Sequence, residues 1–93
     1  MNVTLKSYLA EYIGAFFFIL AIFSSGGNPL IIGAALALVI FFIGSVSGGH
    51  VNPAVSLAMY LKGDLNPMGL LGYMAAQLFG GASAYYAYKL TRA

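Results

Sequence analysis

The chain has 93 residues, of which 61% are hydrophobic and 6% charged, and carries a net charge of +2 at neutral pH. That much apolar surface exceeds what a water-soluble domain of this size can bury, so a small soluble enzyme or binding module is excluded and a membrane protein is indicated. Four scattered basic residues make no nucleic-acid-binding face, and the absence of cysteine excludes disulfides and thiolate metal sites.

A short polar lead ends at Lys6, and residues 8–23 form an apolar run interrupted only by Glu11. The lead has no convincing cleavage site, so the first helix is expected to be retained rather than removed as a signal peptide. Ser24-Ser25-Gly26-Gly27-Asn28-Pro29 reads as a tight loop, and residues 30–46 form a second run without any charge. A polar loop, 47–53, then leads into a short apolar segment that Lys62-Gly63-Asp64 ends. Asn66-Pro67 opens the last run, which carries only Gln77 and small hydroxyls before Lys89 and Arg92. A spanning helix needs about 17–25 residues. The expected fold is therefore an all-α membrane protein of three transmembrane helices and one re-entrant half-helix. The expected bounds are about 7–23, about 30–47, about 48–62 for the re-entrant loop and half-helix, and about 67–89, within one repeat spanning 1–93.

The half-helix is read as re-entrant rather than surface-lying, because Val55, Leu57, Ala58, Met59 and Leu61 leave almost no polar face. Gly72, Ala76, Gly80 and Ala84 fall four apart in the last helix, a stripe of small residues that predicts a close helix neighbour. Ala10 with Gly14, and Gly44 with Gly48, are shorter versions of the same signal.

Few polar groups lie inside the apolar runs. Glu11 reads as an acceptor for loose backbone N–H groups of the Gly48–Val51 loop rather than as a proton site, since no second acid or base lies at its depth to complete a relay. Gln77 is expected to cross-link helices. His50 has no partner at metal-ligand spacing, so no metal site and no cofactor are expected. No catalytic constellation can be assembled, and the chain is not expected to be an enzyme. Asn52 is a favoured N-cap residue and Pro53 suits the first helical position. A helix end of this kind at mid-depth offers the Asn52 amide as a donor, the carbonyls of Gly49, His50 and Val51 as acceptors, and a positive dipole end that repels cations. Such a path suits water and small neutral solutes.

Ser47-Gly48-Gly49-His50-Val51-Asn52-Pro53-Ala54-Val55 resembles the first Asn-Pro-Ala loop of the aquaporin and glycerol-facilitator (major intrinsic protein) family. Ala10-Glu11-Tyr12-Ile13-Gly14 is similar to that family's first helix and Ala76-Gln77-Leu78-Phe79-Gly80-Gly81 to its third. The resemblance implies that Asn52, Pro53 and Ala54 form the mid-pore motif and that Gly49, His50 and Val51 line a half-channel. It further implies that Glu11 and Gln77 brace the loop and that Ile32, twenty residues before Asn52, contributes to the selectivity constriction; in a symmetric pair of inverted copies, Ile32 and Val55 are the candidate constriction residues near both mouths.

The family builds its pore from two inverted repeats, and this sequence resembles the N-terminal one. The expected function is a passive channel for water and small neutral solutes such as glycerol, in a multi-pass membrane protein whose host membrane is unknown. The expected partner is a second copy of the same chain in inverted orientation, in a tetramer of dimers with eight chains by family analogy. The charges allow this. Lys6 and Lys62 lie on one side of the bilayer and Lys89 and Arg92 on the other, so neither orientation is favoured. Two alternatives stay open: a second half from a different chain, or a non-conducting helix bundle with a structural or interaction role.

Overall fold

A computed structural model describes residues 2–92. It contains four helices: α1 (Leu5–Ser24), α2 (Pro29–Ser47), α3 (Pro53–Lys62) and α4 (Pro67–Thr91). There are no strands among the described residues. Three of the helices start in the same way, with an Asn-Pro pair. The side chains of Asn28, Asn52 and Asn66 each accept a backbone N–H of the first turn, and the following proline fills the position whose missing N–H costs nothing. α1 starts two residues earlier than the hydropathy alone suggests. There Ser7 Oγ reaches back to accept the Thr4 N–H at 3.2 Å, half of a capping box. Gly48 and Gly63 end α2 and α3 with φ of 94° and 99°, the left-handed geometry that glycine adopts without a steric penalty.

α1 lies between α2 and α4, and α3 packs on α4. Most of the interior is small or polar: the buried groups include Ser7, Ala10, Glu11, Ala15, Ser47, Ser56, Gln77 and Ala84, beside the larger Tyr73, Leu65 and Val51. The outside is large and apolar, with Leu30, Phe41, Phe42, Met68, Phe79 and Leu90 all exposed. That is the inverse of a soluble protein's pattern, and a continuous apolar exterior of this kind belongs against lipid or another protein. α1 and α2 are both long and apolar enough to cross a membrane. α4, at 25 residues, is longer still, but its tyrosines, glycines and Gln77 dilute its hydropathy.

The small-residue stripe on α4 meets α1, but not as a straight row. The buried positions are Gly69, Tyr73, Gln77, Gly80 and Ala84. A four-residue step overshoots one 3.6-residue turn by about 40°, so a row spaced strictly by four drifts off the contact face. The buried row corrects this with one step of three. At Gly80 the helices touch: a Cβ there would lie 2.5 Å from the Tyr12 carbonyl oxygen.

Candidate functional site

The site is built where the chain turns back at the end of α2. Ser47 is the last residue of α2, and Gly48 and Gly49 both take positive φ. These two residues reverse the chain, so that Gly49 packs against Ile40, two turns back along α2. Val51 then reaches Gly14: a Cβ on Gly14 would lie 2.9 Å from Val51 Cγ1. Gly14 is the tenth of the 20 residues of α1, so the loop penetrates to the middle of that helix. Asn52 follows directly and starts α3, which ends at Lys62.

Val51 has φ of 48°, an unusual conformation for a β-branched residue and one the surroundings must enforce. Glu11 supplies that constraint. Its Oε1 accepts the Val51 N–H at 2.8 Å and Gln77 Nε2 at 2.8 Å. Its Oε2 accepts Ser47 Oγ at 2.6 Å and the His50 N–H at 3.0 Å. Both carboxylate oxygens are thus filled by four donors, and the residue is fully buried.

A second layer supports the first. Gln77 Nε2 also donates to Ser56 Oγ at 2.8 Å, and Ser56 Oγ lies 2.8 Å from His50 Nδ1. The hydrogen bonds of Gln77 among the described residues go to Glu11 and Ser56, so it is linked to the loop backbone through Glu11. Tyr73 Oη donates to the Ser47 carbonyl at 2.6 Å, and its ring meets the His50 ring edge-on at 5.0 Å. Removing that hydroxyl with Tyr73→Phe leaves a buried carbonyl unpaired and is expected to lower stability by about 1–2 kcal/mol. Detergent unfolding of the two proteins checks this.

On its other side the loop is open. Asn52 is exposed, and its Oδ1 accepts the Ala54 N–H at 2.8 Å, which leaves the donor end of the amide, Nδ2, available. The carbonyls of Gly49, His50 and Val51 accept no hydrogen bond found among the described residues. Ala54 is exposed, while Pro53 and Val55 are half-buried at the start of α3. Ile32 is half-buried in the first turn of α2, and since α2 and α3 do not pack on one another, Ile32 and Val55 are not brought together within one chain. No group of three His, Cys, Asp or Glu side chains gathers among the described residues.

Sequence reasoning assigned no hydrogen-bonding role to Ser7, Ser47, Ser56 or Tyr73. The signal was the helix period. Ser7, Ala10, Glu11, Gly14 and Ala15 share one face of α1, and Tyr73 and Gln77 lie on the buried face of α4, so the polar and small residues mark the interior.

A model of the major intrinsic protein family matches residues 2–92. The chain belongs to that family. Among major intrinsic proteins, the glycerol uptake facilitator protein-like 6 of Lactiplantibacillus plantarum is 34% identical over 93 residues, covering 91% of this chain and 43% of its own length. The lens fiber major intrinsic protein of Gallus gallus is 35% identical over 95 residues, covering 87% of this chain and 36% of its own. Aquaporin-8 of Rattus norvegicus is 57% identical over 49 residues, or 53% of this chain and 19% of its own length. The chain therefore spans less than half the length of these major intrinsic proteins.

Proposed function

We propose that this chain forms one half of a passive membrane channel for water and small neutral solutes such as glycerol, and that a second copy in inverted orientation supplies the other half. The observation that carries this reading is the loop that turns back to the middle of α1. It ends there in the Asn52 amide, with the Gly49, His50 and Val51 carbonyls unused beside it. Irregular backbone at that depth is tolerated only where protein buries it or where it lines a wet path. In this reading α1, α2 and α4 span the bilayer, and the loop with α3 is re-entrant, all within one repeat.

Asn52 Nδ2 donates to the oxygen of a passing molecule at the pore centre, while Pro53 and Ala54 start the half-helix whose positive end faces the path. The three carbonyls accept from the same molecules on the way in. A fixed alternation of acceptors and donors replaces the hydration that a neutral solute gives up, whereas a cation meets the positive helix end. Ile32 and Val55 are the apolar side chains that narrow the path, and Glu11 with Gln77 keeps the carbonyls aimed by holding the opposite edge of the loop.

Pairing of inverted copies is supported by the charges: Lys6 and Lys62 would lie on one side, Lys89 and Arg92 on the other. This balance gives no preferred orientation. By analogy with the family, four such pairs assemble, giving eight chains. Stopped-flow light scattering of liposomes holding only this chain tests the channel. Fast osmotic shrinkage with a low activation energy, lost in Val55→Trp, is expected. Permeability equal to empty liposomes, from protein shown to be folded, would overturn the single-chain channel and point to a different partner half.

A further inference from the structure

A cavity of about 260 Å³ lies beside the loop, lined by Gly48, His50, Met59 and Asp64. Three of these residues carry atoms that bind metals: an imidazole nitrogen, a thioether sulfur and a carboxylate. The backbone brings them together. α3 ends at Gly63 in the left-handed conformation, and the Asp64 N–H then donates to the Met59 carbonyl at 2.9 Å, folding Asp64 back beside Met59. His50 enters from the loop with its ring held from two directions. Nδ1 lies 2.8 Å from Ser56 Oγ, and Tyr73 packs edge-on against the ring. With Nδ1 engaged, Nε2 is the nitrogen left to bind a ligand, the arrangement by which an outer hydrogen bond orients a metal-binding histidine.

We propose that His50 Nε2 and Met59 Sδ bind a soft monovalent cation, copper(I) or its analogue silver(I), with Asp64 balancing its charge. The thioether makes the choice. Calcium, magnesium and manganese take oxygen ligands, whereas sulfur of this kind selects copper(I)-like ions. Asp64 also pairs with Lys62 at 3.2 Å on the surface, so the cation competes with that ammonium for the carboxylate. The site goes beyond the channel reading, and its test reads binding directly.

Silver(I), which does not change oxidation state in the experiment, is titrated into the purified chain in lipid nanodiscs. The methionine methyl groups are labelled with carbon-13 and the imidazole resonances are followed at the same time. One silver ion per chain is expected, shifting the Met59 methyl and the His50 ring together while the exposed Met68 stays unmoved. Met59→Leu, a swap of nearly equal volume that cores tolerate, should weaken binding by at least about tenfold, and Met68→Leu should leave it unchanged. Silver shifting Met68 or Met74 in place of Met59 would overturn the site. Unaltered binding by folded Met59→Leu would do the same. The measurement on the unsubstituted chain stands even where a variant folds poorly.

Discussion

Replacing Glu11 with alanine is expected to cost about 3–5 kcal/mol of stability, a large share of what a small domain has. Four donors lose their acceptor at once: Ser47 Oγ, the His50 and Val51 N–H groups, and Gln77 Nε2. Each buried donor left without a partner costs about 1–3 kcal/mol, and relaxation of the loop recovers part of the sum. Val51 then has nothing to hold it at positive φ, so the carbonyls it helps aim move as well. Glu11→Gln keeps the shape but turns an NH₂ group toward one pair of these donors, and a loss of about 2–3 kcal/mol is expected. Equilibrium unfolding in mixed micelles measures both. A parent-like unfolding midpoint for Glu11→Gln would contradict the acceptor role.

The second large effect is expected at Gly80. A methyl group there meets backbone, not a side chain that can swing aside: the Tyr12 oxygen at 2.5 Å and the Phe16 nitrogen at 3.2 Å, with the Ala15 Cβ at 3.0 Å. α1 and α4 must separate, which loosens Glu11 from Gln77 one turn away. Gly80→Ala should therefore cost about 2–3 kcal/mol in spite of alanine's better helix propensity. Gly81 is the internal control. Its added Cβ would find only Ile19 Cγ1 at 3.8 Å, so Gly81→Ala should be neutral or stabilising by up to about 1 kcal/mol. Equal effects from the two neighbouring substitutions would show that α1 does not approach α4 at Gly80.

The parts of this molecule readable from sequence are those written in local signals. Asn52-Pro53 signals a helix start locally, because cap and proline act within one turn, and Gly63 marks the end of that helix for the same reason. Glu11 stands out as the one acid inside an apolar run, and the structure surrounds it with the His50 and Val51 N–H groups. The hydroxyls were not readable. A serine in an apolar helix can bond to its own backbone one turn back, as Ser47 Oγ also does to the Ile43 carbonyl at 3.4 Å, so Ser47 and Ser56 gave no sign of a tertiary partner, and Ser7 showed only which face of α1 is buried. Val51 was hidden for the opposite reason. Its side chain favours extended backbone, and its left-handed conformation comes from Glu11, 40 positions away. The small-residue stripe announced a close neighbour, but which glycine touches backbone depended on the drift of the helix face, and that fell on Gly80.

The central claim is that the Asn52 ends of two inverted copies meet at the middle of one path. The sequence holds no cysteine, so Ala54→Cys places a single thiol at the exposed start of α3 in each copy. Treating the reconstituted variant with a short thiol-to-thiol reagent, and reading the product on a denaturing gel, measures whether the two starts adjoin. A covalent dimer is expected from Ala54→Cys and not from Leu90→Cys, whose position would lie at opposite membrane faces in the two copies. Dimer from Leu90→Cys with none from Ala54→Cys would mean that the copies lie side by side in one orientation, and the shared path would be contradicted.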